Sequence, residues 1–324
     1  MGAPRRSARG LTLVVGTVVA LATACAGPGS AGSSPADVAG RVDIGGGRSM
    51  YVECSGEGSP TVVLVSGLRS SAEDWRTTRS EATPVAPPVF DEVARSHRVC
   101  AYDRPGTIVG DTTSRSDPAP QPTDAATAAA DLHATLAAAG EDGPFVLVGH
   151  SIGGTIARVY ATTHPDEVSG MVLVDASSEF LQDAETPEQW AIQRRLMGVD
   201  AEDVADSVAE YPDLELFDID ATFAQLRASP DLRPMPLVVL SADELLGPAF
   251  PAMVASGAVP DDVPPDFGEV FDAAMAEAQV RLATLVPDAV HVTETRSGHE
   301  IHLVQPQLVV QAIEDVLAAI DAGR

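Results

Sequence analysis

The segment around Ser151 constrains the fold of this 324-residue chain more than any other. It reads Gly-His-Ser-Ile-Gly at 149–153, after an apolar run at 145–149 and before a helical pattern at 151–163. Glycines two positions before and after a serine permit a sharp strand-to-helix turn that exposes the serine side chain. A helix that begins there also stabilises negative charge near its N-terminus. The segment therefore predicts α/β structure, with Ser151 as a candidate nucleophile.

Short apolar runs alternate with helical patterns along the chain, which is typical of an α/β protein with a mostly parallel sheet. Predicted strands lie at 50–54, 61–65, 98–102, 145–149, 171–175, 237–241 and 290–293. Predicted helices lie at 123–139, 151–163, 267–285 and 305–322. Residues 176–235 form a long acidic segment with a helical pattern between two of these strands. Because long insertions near sites are often functional, we interpret 176–235 as a cap rather than a surface insertion.

A serine becomes nucleophilic only with a neighbouring base. His299 lies between the last predicted strand and the C-terminal helix, where the chain order serine, acid, histidine places the base. His302 follows three residues later, which is also a spacing found in metal sites. The further ligands that a metal site would need beside this pair are not apparent in the sequence, so we expect neither a metal nor a cofactor.

Three carboxylates are candidates for the acid that would orient His299. Asp243 and Glu244 follow the strand predicted at 237–241, whereas Asp175 ends the strand predicted at 171–175. The sequence leaves the choice open, because these roles are fixed by geometry and not by position along the chain.

An acyl-transfer site also needs two backbone N–H groups that stabilise the developing oxyanion. Ile152 is one candidate, because it directly follows Ser151. Leu68 is the other, in the Ser-Gly-Leu-Arg loop at 66–69 that follows the strand predicted at 61–65.

The N-terminus has the pattern of an export signal. Arginines precede a short apolar stretch, and small residues precede Cys25. The stretch is short for a membrane span, so residues 1–24 are predicted to be a removable signal peptide. The pattern resembles a bacterial lipoprotein signal, which implies a lipid on Cys25 and a flexible tether over 25–40. The lipid would then be the protein's only attachment to the outer face of the cell membrane, and plain secretion is the alternative.

Composition narrows the possible partners, the number of domains and the state of the cysteines. A formal net charge of −27 argues against a nucleic-acid partner, because phosphate binding needs clustered Lys and Arg. Hydrophobic residues make up 45% of the chain, enough for one large domain over 41–324. With Cys25 lipidated, Cys54 and Cys100 remain, either as a disulfide in an exported protein or as two buried thiols.

Six segments together resemble the α/β-hydrolase superfamily in its single-domain bacterial form. They are VVLVSGL at 62–68, YDRPG at 102–106, VGHSIGG at 148–154, MVLVDAS at 171–177, PLVVLSAD at 236–243 and SGHEIHL at 297–303. The resemblance implies an eight-stranded, mostly parallel sheet flanked by helices, with a helical cap after the sixth strand. Its strand order puts the second strand beside the fourth, which implies a disulfide between Cys54 and Cys100.

The resemblance also implies that Ser151 and His299 act through an acyl-enzyme intermediate on a small-molecule acyl substrate, with a carboxylic ester as the leading candidate. Cleavage of an amide or peptide by the same groups is one alternative. A non-catalytic, lipid-tethered binding protein on a hydrolase scaffold is another, because fold alone does not establish function. The sequence predicts no oligomeric state.

Overall fold

The computed structural model describes Gly2, residues 36–82 and residues 84–323. The predicted signal peptide at 1–24 and the lipidation site at Cys25 lie outside the described residues and stay predictions. The first strand begins at Val38, within the range 25–40 that the sequence assigned to the tether. Among the described residues, no helix combines the length and the apolar character needed to cross a bilayer.

One eight-stranded sheet forms the centre of the fold. Its strands in chain order are β1 (Val38–Gly45), β2 (Arg48–Ser55), β3 (Thr61–Val65), β4 (Val99–Tyr102), β5 (Phe145–His150), β6 (Val168–Val174), β7 (Leu237–Leu240) and β8 (Val290–Val292). Their order across the sheet is β1-β2-β4-β3-β5-β6-β7-β8. The pairs β1–β2 and β2–β4 are antiparallel and the other pairs are parallel. The predicted mostly parallel sheet is therefore confirmed.

Helices cover both faces of this sheet. They are α1 (Val89–Val93), α2 (Ala125–Ala139), α3 (Ile152–Thr163), α4 (Glu179–Ala184), α5 (Pro187–Met197), α6 (Ala205–Glu210), α7 (Ile219–Ala228), α8 (Phe250–Ala255), α9 (Phe267–Leu282), α10 (Ile301–Val304) and α11 (Pro306–Asp321). One apolar core packs α2, α3 and α9 onto one face, and a second packs α1 and α11 onto the other. Burial on both faces explains why the central strands are uninterrupted apolar runs.

The helical insertion after the sixth strand is also present. Helices α4 to α7 all lie between β6 and β7, inside the range 176–235. A second pair of helices, α8 and α9, lies between β7 and β8. Both insertions follow the carboxyl ends of parallel strands, which is the edge of an α/β sheet where ligands bind.

The disulfide implied by the family resemblance is present. Cys54 on β2 and Cys100 on β4 are direct partners across the antiparallel pair, with their Cα atoms 4.1 Å apart. Both residues are buried. The bond therefore joins two neighbouring strands inside the core.

The turn after β4 packs backbone against backbone on the cap. Gly106 has a positive φ of 78°, and its carbonyl accepts a hydrogen bond of 2.9 Å from the N–H of Glu215. A Cβ on Gly106 would lie 2.3 Å from the carbonyl oxygen of Asp213. Glycine is therefore required here both by the backbone conformation and by the close approach of the cap segment.

We expect Gly106→Ala to lower the thermal midpoint Tm well beyond Gly110→Ala. Gly110 also has a positive φ, of 57°, but nothing lies within 4 Å of its Cβ position. Both variants place alanine in left-handed backbone, which costs about 1–2 kcal/mol. Only Gly106→Ala adds overlap with backbone atoms, typically about 1–3 kcal/mol. Circular dichroism melts measure both, and equal losses of Tm would contradict the packing argument.

Candidate active site

Ser151 occupies a strained turn between β5 and α3. Its φ of 53° and ψ of −126° are sparsely populated for a non-glycine residue. The two flanking glycines allow the turn to close. A Cβ on Gly149 would lie 2.6 Å from the carbonyl oxygen of Gly153, and a Cβ on Gly153 would lie 2.2 Å from that of Val65. The predicted strand, sharp turn and helix at this serine are therefore present.

His299 pairs with Asp175. The imidazole Nδ1 donates to Oδ2 of Asp175 at 2.7 Å, while Oδ1 of Asp175 accepts from the N–H of Ala242 at 3.0 Å. With the proton on Nδ1, the Nε2 atom of His299 carries the free lone pair. The Asp175 side chain is 6% exposed and the His299 side chain is 46% exposed, so the acid is buried behind an accessible base.

Asp243, the other leading candidate for the acid, does not contact His299. Its carboxylate accepts hydrogen bonds from the N–H of Ser297 at 3.0 Å and from the hydroxyl of Thr295 at 3.2 Å. The carboxylate that pairs with His299 instead directly follows β6, the neighbour of β5, the strand that Ser151 follows. Asp243 lies beyond β7 and braces the loop that leads to His299.

Glu244, the third candidate acid, also binds the loop before His299, but through its backbone. Its N–H donates to the carbonyl of Ser297 at 3.1 Å. Its side chain lines the cavity described below and is not the partner of His299 Nδ1.

Burial and charge act in opposite directions on His299. Partial loss of water around the half-exposed ring disfavours its protonation, but the hydrogen bond and charge of Asp175, with the charge of Glu300, outweigh this desolvation and raise the pKa of His299. Neighbouring His150 and His302 behave differently, because burial and the other histidines lower their pKa values, to about 3 for His302. In this cluster, His299 is therefore the histidine stabilised as a cation.

His150 connects the serine turn to the histidine loop. Its Nε2 donates to the carbonyl oxygen of His299 at 3.0 Å, and the two rings lie 4.6 Å apart between centroids. The side chain is buried. The sequence indicates no role for His150, because nothing in the pattern reveals a contact with a residue 149 positions away.

The loop after β3 lies against the serine. A Cβ on Gly67, the residue before Leu68, would approach Cβ of Ser151 to 3.3 Å. Ile152, the other predicted N–H donor, is the first residue of α3 and is buried. The loop that carries Leu68 and the first residue of α3 thus both lie next to Ser151, and the roles of Leu68 and Ile152 as oxyanion donors stay predictions.

Two further residues, which the sequence did not indicate as site residues, hold that loop. The Arg104 guanidinium donates to the carbonyl of Ser66 at 2.9 Å and to that of Gly67 at 2.6 Å. Arg104 also pairs with Glu215 of the cap, Nε to Oε1 at 2.6 Å. Arg104 lies in the YDRPG segment, which is one of the six segments that resemble the α/β-hydrolase superfamily and could have indicated it. Glu215 belongs to none of those segments.

A cavity of about 360 Å³ opens beside His299. Its lining includes Asp175 and His299 together with the apolar side chains Leu246, Phe271 and Met275. These apolar residues come from the segment between β7 and β8. The cavity is large enough for part of a small organic molecule.

Three clusters among the described residues have donor atoms close enough to hold a metal ion. They are His150 with Glu300 and His302, His133 with His164 and Glu167, and Cys54 with Cys100 and Glu141. The cysteines of the third cluster form the disulfide and are not free thiolates. In the first, His150 already uses Nε2 for a backbone hydrogen bond. The expectation of no metal stays a prediction.

We expect Asp175→Asn to lower the pKa of His299. The hydrogen bond and charge of the carboxylate raise that pKa, and the burial that lowers it remains in the variant. An NMR pH titration of the His299 ring measures the change. Because a base accepts a proton only when neutral, the acid limb of any rate that depends on His299 should also move to lower pH.

Asp243→Asn is the matched control, because an asparagine oxygen still accepts the hydrogen bond from Ser297. We expect a smaller change in the pKa of His299 in this variant. A larger change in Asp243→Asn than in Asp175→Asn would contradict the pairing of His299 with Asp175.

Comparison with known proteins identifies the same fold. The model of the alpha/beta hydrolase family matches residues 62–312. An uncharacterized protein of Schizosaccharomyces pombe is 32% identical over 146 residues, which are 40% of this chain. Those residues are only 26% of that relative's length.

Solved structures resemble the whole domain at low sequence identity. Est816, described as an N-acyl homoserine lactone degrading enzyme, has a TM-score of 0.52 at 20% identity, over 85% of this chain and 99% of that chain. The epoxide hydrolase CorEH has a TM-score of 0.53 at 18% identity, over 88% of this chain and 100% of that chain. Likeness at these identities shows the fold alone. With the family match over 62–312 and the observed sheet order, this chain belongs to the α/β-hydrolase family.

Proposed function

We propose that this protein is a serine hydrolase that cleaves a carboxylic ester through an acyl-enzyme intermediate. The observation that carries the proposal is the buried Asp175 carboxylate, hydrogen bonded to Nδ1 of an accessible His299 at the strand edge that bears Ser151. A serine, a histidine and an orienting carboxylate are the minimum for this chemistry.

The proposed reaction has two stages. In the first, Nε2 of His299 accepts the Ser151 hydroxyl proton as the serine oxygen attacks the ester carbonyl. The N–H groups of Leu68 and Ile152 stabilise the oxyanion of the tetrahedral intermediate, and the protonated His299 returns the proton to the leaving alkoxide. In the second, water attacks the acyl-serine ester with His299 again as base, and the acid leaves. Asp175 stabilises the imidazolium in both stages.

Ser151 at the strand-to-helix turn favours acyl transfer over the reactions of family relatives that have a carboxylate nucleophile at this position. Opening of an epoxide through an alkyl-enzyme ester needs an aspartate or glutamate at this position. A serine there instead suits acyl transfer. Amide cleavage uses the same groups and remains the alternative activity, and a binding protein without turnover is the alternative from a different class.

We expect Ser151→Ala to reduce hydrolysis of a short 4-nitrophenyl ester by at least about 10⁴-fold, because the acyl-enzyme cannot form. Release of 4-nitrophenolate measures the rate. Labelling of the intact protein by a fluorophosphonate probe, and its loss in Ser151→Ala, identifies the reacting side chain. Turnover that survives the substitution would overturn the assignment, and turnover of amides alone would favour the peptidase alternative.

We further infer that the alcohol portion of the ester occupies the cavity beside His299. The base must protonate the leaving oxygen, so the leaving group has to contact the His299 ring. Apolar walls suit an apolar alcohol, and a volume of about 360 Å³ lies within the range of small-molecule sites. The acidic residues Glu244 and Asp272 are also among those that line the cavity, which favours neutral or cationic alcohols over anionic ones.

We expect Ala276→Trp to raise KM for acetate esters of bulky alcohols and to leave methyl acetate unaffected. Ala276 lines the cavity from an exposed position on α9, so the new ring fills the cavity without entering the core. A pH-stat measures both esters. The rate of acyl-enzyme breakdown should stay unchanged, since the alcohol has already left. A change in KM that depends on the length of the acyl chain instead would contradict the placement of the alcohol portion in this cavity.

A further inference from the structure

The peptide between Gly67 and Leu68 is held by a buried guanidinium. Arg104 Nη2 donates to the carbonyl oxygen of Gly67 at 2.6 Å, and Nη1 donates to that of Ser66 at 2.9 Å. The Arg104 side chain is only 2% exposed. Hydrogen bonds from a cation in such a site are stronger than those between neutral groups.

A carboxylate from the cap fixes the orientation of that guanidinium. Glu215 is fully buried, and its two oxygens accept from Arg104 Nε at 2.6 Å and Nη2 at 3.0 Å. Its Oε2 also accepts from the backbone N–H of Arg69 at 2.7 Å. The pair therefore contacts three residues of the loop at once, from Ser66 to Arg69, and we call it the Arg104–Glu215 clamp.

Two hydrogen bonds on the Gly67 carbonyl, from Arg104 at 2.6 Å and from the N–H of Ser70 at 3.1 Å, determine where the N–H of Leu68 points. A peptide unit is planar and trans, so its C=O and its N–H point in opposite directions. Because the oxygen of Gly67 is bound to Arg104, the N–H of Leu68 must point away from Arg104. Ser151 lies close to this peptide, since a Cβ on Gly67 would be 3.3 Å from Cβ of Ser151. The cation on the carbonyl also polarises the peptide, which strengthens its N–H as a donor.

The cap side of the clamp is anchored as well. The N–H of Glu215 donates to the carbonyl of Gly106 at 2.9 Å, and Arg69 Nε donates to the carbonyl of Glu215 at 3.1 Å. The Arg69 guanidinium also donates to the carbonyl of Gly198, elsewhere in the cap. The loop after β3 and the cap are thus joined by hydrogen bonds in both directions.

We propose that Arg104 and Glu215 are positioning residues that set the Leu68 N–H as an oxyanion donor, and that the donor is in place only while the cap segment carrying Glu215 is seated. This inference rests on the proposed ester hydrolysis. Neither residue touches the reacting atoms, and each acts through the Gly67–Leu68 peptide. Oxyanion donors contribute only when aimed in advance at the place where charge develops.

Glu215→Gln tests the clamp, and Glu141→Gln is its matched control. Glu141 is also buried and paired with a buried arginine, since Arg98 donates to it at 2.7 Å, but that pair lies outside the site. Both variants remove one buried negative charge from an Arg–Glu pair. Their thermal midpoints therefore report the structural cost, and assays are run well below both midpoints.

We expect Glu215→Gln to lower kcat for a 4-nitrophenyl ester by about 10- to 100-fold with KM little changed, below the ~10²–10³-fold cost of deleting a donor outright. The rate ratio between that ester and its thionoester should also fall towards one, because sulfur accepts hydrogen bonds weakly and gains little from the donors. Affinity for a trifluoromethyl ketone, which forms an oxyanion on the serine, should fall in parallel. Glu141→Gln should keep the wild-type ratio and affinity.

A wild-type thionoester ratio in Glu215→Gln would overturn the inference, as would a crystal structure of that variant with the Gly67–Leu68 peptide in its present orientation. If Glu215→Gln does not fold, Arg104→Lys keeps the buried charge but cannot reach both carbonyls, and the same outcomes apply. Wild-type protein without Ser151-dependent turnover would instead defeat the proposed function, and the crystal structure would still test the clamp.

Discussion

The close approach of helix α3 to the loop after β3 is the constraint on which the rest of the site depends. Without a side chain at Gly153, the helix can meet the backbone at Val65 and Ser66, where a Cβ would collide at 2.2 and 2.7 Å. That contact places the start of α3 beside the loop, directly after Ser151, whose φ is positive. The strain is tolerated because β5 and α3 are both buried, and their packing holds the turn between them in this conformation.

Hydrogen bonds from three parts of the sheet hold His299 in place. Asp175 holds its ring, His150 holds its backbone carbonyl, and Asp243 holds the loop before it. These contacts reach His299 from β6, β5 and the end of β7 respectively. A base that must keep one orientation through two proton transfers benefits from fixing both its ring and its backbone.

Buried arginine–glutamate pairs recur where distant segments meet. Arg98 with Glu141 joins the start of β4 to the segment before β5, Arg104 with Glu215 joins the turn after β4 to the cap, and Arg158 with Glu179 joins α3 to the first cap helix. A planar guanidinium can satisfy two oxygens and still bind backbone carbonyls, which a lysine ammonium cannot match geometrically. Each pair fixes a relative position that apolar packing alone would leave less specific.

The sequence by itself predicted the strand-turn-helix at Ser151, the succession of buried strands along the chain, the helical insertion at 176–235 and His299 as the candidate base. These features depend on local patterns, namely apolar runs, glycine spacing and chain order. It missed β1, whose alternating half-exposed residues leave no continuous apolar run. It also left Asp175 and Asp243 undecided, because both follow strands and only their distances to His299 separate them. Tertiary structure alone decided that pairing and joined Arg104 to Glu215 across 111 positions, since such contacts depend on how segments pack and not on neighbouring residues.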